Sequence, residues 1–205
     1  TPLTSMRTNL DVMRRHPNMD QAMREQIMID LERDAGDMAA LVEEVVAIAA
    51  ERHSNELPEP IEMNSVTQSI IERASRRSGR DIVVNADDSI VIANHHMFDR
   101  AVSNLIDNAL KFDTSSQQIE VMIHNGSLTV SDRGIGIPED EVQLIFERFH
   151  RSAASRSMPG SGLGLSIVAD FAHAHDGSVF ARNRVGGGAE IGFSLPTAHK
   201  SGQPA

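Results

Sequence analysis

Asn104-Leu105-Ile106-Asp107-Asn108-Ala109-Leu110-Lys111-Phe112 decides how this chain is read. Asn104, Asn108 and Lys111 stand at i, i+4 and i+7, so a helix places them on one face, with Leu105, Ile106 and Ala109 around the other. Two carboxamides and an ammonium on one face suit a hydrated Mg²⁺ with phosphates, because Mg²⁺ prefers oxygen ligands and keeps several waters. A plain solvated face is the alternative. The helical period runs from Met97 to Phe112.

Outward from that helix, hairpins and helices mix without regular βαβ alternation. Residues 66–77 read as a helix with Val66, Ile70, Ile71 and Ala74 inward. Ile82-Val83-Val84 and Ile90-Val91-Ile92 read as strands on either side of a turn at Asp87-Asp88. Residues 119–123 and 128–130 form a hairpin turning at Asn125-Gly126. Residues 164–174 are helical, and 179–181 and 191–195 close the chain as strands. This pattern predicts an α+β sandwich, a mixed sheet with helices on one face.

Near the start, Leu3, Met6, Leu10 and Met13 make a narrow apolar stripe, interrupted at His16-Pro17-Asn18. Asp20 can cap a second helix carrying Ile27, Leu31, Met38, Leu41, Val45 and Ile48 at a period near 3.5. Two such helices joined by a short turn form an antiparallel hairpin. Its stripe is either shared with a second copy in a four-helix homodimer or packed on its own C-terminal domain. The expected organisation is a hairpin over 1–53, a linker over 54–60, a catalytic domain over 61–197 and a tail over 198–205.

Three further clusters carry candidate chemistry. Asp132-Arg133-Gly134-Ile135-Gly136-Ile137-Pro138 follows an apolar strand; its glycines let backbone close on a ligand, and its Asp can accept from an exocyclic amine. Ile145-Phe146-Glu147-Arg148-Phe149-His150-Arg151 offers two phenylalanines to anchor a loop edge and arginines that reach phosphate. Gly160-Ser161-Gly162-Leu163-Gly164-Leu165-Ser166-Ile167 opens a helix with free N–H groups facing an anion. Residues 152–160 are small and polar, as a lid requires. Taken singly, each also fits a bland structure: a Gly-rich turn, a short amphipathic helix, a helix start.

Composition limits the alternatives. The 205 residues include no cysteine, which excludes disulfides and thiolate metal sites. A net charge of −10 argues against binding nucleic acid. No apolar run is long enough to span a membrane, and no signal peptide is visible. The nine histidines show no metal-site spacing with a third ligand; His95 and His96 head the central helix. Helical patterning is already under way at Thr1, so the chain is expected to be a fragment.

In order and spacing, the four clusters resemble the N, G1, F and G2 boxes of the histidine-kinase branch of the gyrase–Hsp90–histidine kinase–MutL ATPase superfamily. The resemblance covers about residues 61–197, with details (notably residues 151–167) similar to actinobacterial envelope-stress kinases. It implies a Bergerat-type α/β sandwich holding ATP beneath a lid. By position, Asn108 coordinates Mg²⁺ with Asn104 beside it. Lys111 meets phosphate, and Phe112 packs near the nucleotide. Asp132 reads the adenine amine in a pocket shaped by Gly134, Gly136 and Ile137. Arg151 reaches the γ-phosphate from the lid, and Ser161, Gly162, Leu163 and Gly164 receive the phosphates. Phe112 and His150 stand where tyrosine is common, and Asn94 where aspartate often precedes the N box.

The same resemblance implies a function. The hydrolytic branches carry at position 104 a glutamate that activates water; an amide is no general base. Asn104, Lys111 and Arg151 are therefore expected to serve phosphoryl transfer to a protein group. Thr1-Pro2-Leu3-Thr4-Ser5-Met6-Arg7 resembles the tail of an H box, which puts the phosphoacceptor histidine four residues before Thr1. The implied parent is a bacterial inner-membrane sensor kinase with this cytoplasmic portion, partnered by a response regulator. This chain alone is expected to bind Mg-ATP or Mg-ADP without autophosphorylating and without touching the membrane. The alternatives are a hydrolytic ATPase of the gyrase, Hsp90 and MutL branch and a non-catalytic dimerisation module.

Overall fold

The computed structural model describes residues 2–53, 57–115, 117–150, 152 and 162–198. It comprises a helical unit and an α+β unit. Thr1, residues 54–56 of the expected linker, Arg151, the lid segment from 153 with Ser161, and the tail from 199 lie outside the described residues.

The helical unit is a hairpin of α1 (Pro2–Arg15) and α2 (Gln21–His53). Pro17 falls in the turn, where Met19 N–H donates to the His16 carbonyl at 3.1 Å. Asp20 caps α2, accepting from Met23 N–H at 2.8 Å. Ile27 is buried, whereas Leu3, Leu10, Met23, Met28, Ile29 and Val42 are exposed.

The second unit runs β1 (Glu59–Glu62), α3 (Met63–Ser78), β2 (Ile82–Ala86), β3 (Ile90–Ala93), α4 (His95–Phe112), β4 (Ile119–His124), β5 (Ser127–Ser131), a 3₁₀ turn Leu144–Phe146, α5 (Gly164–Ala174), β6 (Ser178–Asn183) and β7 (Ala189–Ser194). Five strands form a mixed sheet in the order β2-β4-β5-β7-β6. Only β2 and β4 run parallel. Ile82 and Val84 of β2, Ile119, Val121 and Ile123 of β4, Leu128 and Val130 of β5 and Ile191 and Phe193 of β7 belong to the core shared with α3, α4 and α5, while Val83 and Met122 face outward. Period-two alternation thus assigns one sheet face to the helices. Phe98, Phe171 and Phe193 meet edge-on at the core's centre, with ring centroids 5.2–6.0 Å apart.

One local result differs from the sequence expectation. Glu59 and Pro60, read as linker, belong to β1, which pairs antiparallel with β3. Accordingly β2 and β3, adjacent in sequence, lie in different sheets. The turn between them is tied elsewhere: Asp87 accepts from Asn125 N–H at 2.8 Å, and Gly126 N–H donates to Ser89 Oγ at 3.0 Å. Those bonds grip the β4–β5 turn, where Asn125 and Gly126 take the positive φ a two-residue hairpin requires.

The start of α4 is fixed from both sides. Asn94 caps it through Oδ1, accepting from Met97 N–H at 2.9 Å. Its own N–H donates to His175 Nε2 at 3.1 Å, and His175 Nδ1 lies 2.8 Å from the Phe171 carbonyl. With the Asn94 N–H donating to Nε2 and the Phe171 carbonyl accepting at Nδ1, the imidazole joins the end of α5 to the start of α4.

Candidate functional site

Asn104, Asn108 and Lys111 are half-buried on one face of α4, while Leu105, Ile106 and Ala109 are buried on the other. Asn104 Nδ2 donates to the Arg100 carbonyl at 2.9 Å, which turns Oδ1 outward. The first residue of α5 closes on that oxygen: a Cβ on Gly164 would sit 2.8 Å from it. Leu163, the residue before α5, makes no side-chain cap, and Gly162 takes φ +76°. Lys111 Nζ lies 4.9 Å from the Phe112 ring centroid.

The glycine-rich loop follows β5. Asp132 is 3% exposed, and its Oδ1 accepts from Gly134 N–H at 2.8 Å and Ala189 N–H at 3.2 Å. Among the described residues both hydrogen bonds fall on Oδ1, so Oδ2 retains accepting capacity. Burial pushes this carboxyl above its ordinary value; the hydrogen bonds from Gly134 and Ala189 offset that in part, and nearby Asp113 adds to it. Gly134 is required by close approach, since a Cβ there would lie 2.3 Å from the Phe112 carbonyl oxygen. Gly136 is required by conformation, at φ +74°. Ile137 is held through its main chain by Asn183.

Two residues that sequence reasoning missed organise this junction. Asp113 ends α4 with its side chain fully buried. Its oxygens accept from Ser115 N–H at 2.7 Å and Arg133 N–H at 3.0 Å, and Arg80 Nη2 lies 3.4 Å away. Burial alone would raise its pKa, but the hydrogen bonds from Ser115 and Arg133 together with Arg80 hold it below the usual value. An Asp directly after a helix and before Thr-Ser is an Asx-turn signal that could have flagged it. Asn183, the last residue of β6, is the second; the triple glycine after it marked the turn but not the contact.

In the phenylalanine cluster one expectation is corrected. Phe146 packs on the core, but Phe149 takes φ +65° and is 63% exposed, so only one of the two anchors. The positive φ turns Phe149 outward. Arg148 pairs instead with Asp170 of α5 at 2.8 Å. His150 Nε2 and Glu141 Oε2 are buried atoms without hydrogen-bond partners, facing each other at 3.5 Å. Arg151 and Ser161 lie outside the described residues. Among the described residues no group of three or more His, Asp or Glu could hold a metal, and no helix is long and apolar enough to cross a membrane.

The chain is similar to several known proteins. Residues 93–199 match the family described as histidine kinase-, DNA gyrase B-, and HSP90-like ATPase. The chain is 35% identical over 207 residues to the signal transduction histidine-protein kinase/phosphatase MprB of Mycolicibacterium smegmatis, covering 95% of this chain and 42% of that protein. It is 33% identical to the MprB of Mycobacterium tuberculosis, covering 41% of that protein. The chain thus spans less than half the length of the curated relatives it matches. Among solved structures, a mycobacterial sensor histidine kinase MprB superposes with a TM-score of 0.63 at 37% identity, covering 68% of this chain and 98% of that one.

Proposed function

Since the chain belongs to the histidine kinase-, DNA gyrase B- and HSP90-like ATPase family, on its sensor histidine kinase branch, we propose that it is the catalytic core of a two-component sensor kinase. It binds Mg-ATP and presents the γ-phosphoryl group to a histidine. A nitrogen of that imidazole attacks phosphorus, the bond to the β-phosphate oxygen breaks, and ADP leaves. The phosphoryl group then passes to an aspartate of a response regulator. The parent protein is a bacterial inner-membrane sensor with this portion in the cytoplasm.

The work of this chain's own residues is positioning and charge stabilisation, as phosphoryl transfer demands. Asp132 accepts from the adenine amine through Oδ2. Gly162, Gly164 and the start of α5 meet the phosphates, with Ser161 and Leu163 beside them. Lys111 and the lid-side Arg151 neutralise phosphate charge. Neutral oxygen donors on one helical face fit Mg²⁺, so Asn108, with Asn104 adjacent, would hold it; the bound ion supplies charge neutralisation on the phosphates. Asn104 cannot deprotonate water, so ATP is kept for transfer rather than hydrolysis.

Convergence along α4 carries this reading. The glycine-rich loop closes on Phe112, and the start of α5 closes on Asn104. Segments far apart in sequence thus line the helix that bears Asn108 and Lys111. The exposed Leu3, Leu10, Met23, Met28, Ile29 and Val42 of the hairpin support a homodimer through a four-helix bundle.

The test is a calorimetric titration of this chain with Mg-ATP while released phosphate is followed in the same sample. Binding without appreciable turnover is expected. Steady hydrolysis would move the chain to the gyrase, Hsp90 and MutL branch, and no binding would leave a dimerisation module.

A further inference from the structure

The loop 132–137 is gripped at both ends by one pair of strands. Asn183 of β6 and Ala189 of β7 stand directly opposite each other in the sheet. Ala189 holds the start of the loop: Asp132 N–H donates to its carbonyl at 3.0 Å, and its N–H donates to Asp132 Oδ1 at 3.2 Å. Asn183 holds the end, where its Oδ1 accepts from Ile137 N–H and its Nδ2 donates to the Ile137 carbonyl, both at 2.7 Å. A main-chain N–H can only donate and a carbonyl only accept, so these partners fix the carboxamide's orientation. Between the ends, Arg133 Nη1 donates to the Val185 carbonyl at 3.4 Å.

Close approaches flank both ends of the loop, although Asn183 itself is exposed. A Cβ on Gly136 would lie 2.8 Å from Asn183 Oδ1. Just before β7 a Cβ on Gly188 would lie 2.1 Å from the Asp132 carbonyl oxygen. With both main-chain groups of Ile137 tied, the side chain of Asn183 extends the ladder of β6 by one residue onto the loop. Gly134 and Gly136, lying between the two grips, cannot shift independently of Asp132.

We propose that Asn183 is a positioning residue that sets the base selectivity of the nucleotide site. It acts without touching the base, by holding the far end of the loop whose near end carries Asp132. This rests on the assignment of Asp132 as the reader of adenine. Released at Ile137, the loop can accommodate a purine that does not match the Asp132 carboxylate, so affinity for adenine falls while guanine is penalised less.

The experiment uses the full 205-residue chain and two variants, Asn183→Leu, which removes both hydrogen bonds at similar volume, and Asn183→Asp, which keeps an acceptor for Ile137 N–H. Each is titrated calorimetrically with Mg-ADP and Mg-GDP, and its melting temperature is recorded. The dissociation constant for Mg-GDP divided by that for Mg-ADP is expected to fall roughly tenfold in Asn183→Leu, the scale of two hydrogen bonds, and less in Asn183→Asp. Equal weakening towards both nucleotides would reveal a merely structural residue and overturn the inference, as would unchanged affinities. Failure of the wild-type chain to bind Mg-ADP would overturn the proposed function itself, and wild-type binding without preference for adenine would overturn the Asp132 assignment and this inference with it.

Discussion

Replacing Gly134 by alanine adds one methyl group where the structure leaves no room for it. The new Cβ would lie 2.3 Å from the Phe112 carbonyl oxygen, 2.7 Å from its carbon and 3.1 Å from the Asp113 nitrogen. Real Cβ contacts do not fall under 3.0 Å, so the loop must retreat by at least about 0.7 Å. All three neighbours are backbone at the end of α4, and no rotamer change relieves them. Retreat also stretches the bonds from Gly134 N–H to Asp132 and from Arg133 N–H to Asp113. Overpacking of this kind costs about 1–3 kcal/mol, which for a chain this size lowers Tm by roughly 2–12 °C. Binding weakens as well, because Gly134 N–H is a donor that holds Asp132 Oδ1 in place; one such hydrogen bond, about 0.5–1.5 kcal/mol, corresponds to roughly 2- to 13-fold in affinity. Calorimetry with Mg-ADP and a thermal melt measure both quantities. Wild-type affinity together with a Tm within 1 °C of wild type, a margin set by that same scale, would refute the close approach of loop and helix.

Other perturbations separate the remaining roles. Asp132→Asn keeps the shape but replaces an acceptor by an amide; competition between Mg-ADP and Mg-GDP should show adenine preference eroded, and undiminished selectivity would count against the adenine assignment. Asn108→Ala should weaken nucleotide binding mainly when Mg²⁺ is present; an equal loss in EDTA would mark a structural role. Asp113 has a folded pKa below its ordinary value of 3.8, so its stabilisation is present above that value and lost as pH falls through the folded pKa. Asp113→Asn should therefore cost about 1–3 kcal/mol at pH 7 and flatten the acid limb of a urea-unfolding series. A limb as steep as wild type would show that other carboxylates, Asp87 among them, govern it.

How legible the molecule was depended on where each residue's partner lies. The apolar period of α4, the Asn125-Gly126 turn and the capping Asp20 announce themselves because their partners are within a few positions. Leu105 and Ile106 face the core and Asn108 does not, as periodicity requires. Asn183 escaped because its partner, Ile137, is remote and offers only main-chain groups, which leave no trace in side-chain identity; Asp113 carried a local Asx-turn signal towards Ser115, but its ties to Arg80 and Arg133 are long-range. Phe149 misled for a related reason: its backbone conformation, set at the end of the segment, decides its exposure rather than its spacing from Phe146. The strand at Glu59–Glu62 was obscured by Pro60, a residue that sheets tolerate at an edge.

The strand order also governs the sequence of events when the chain folds. β4 meets β5 across a two-residue turn, a local closure. β5 must wait for β7, since Val130 faces Ile191. Long-range pairings bear loop-closure entropy before their contacts compensate for it, so the hairpin forms early and the cradle around Asp132, which needs Ala189, forms late. A nucleotide gripped by that cradle stabilises contacts absent from the folding transition state. It should therefore slow unfolding in proportion to its affinity while leaving the refolding rate almost untouched.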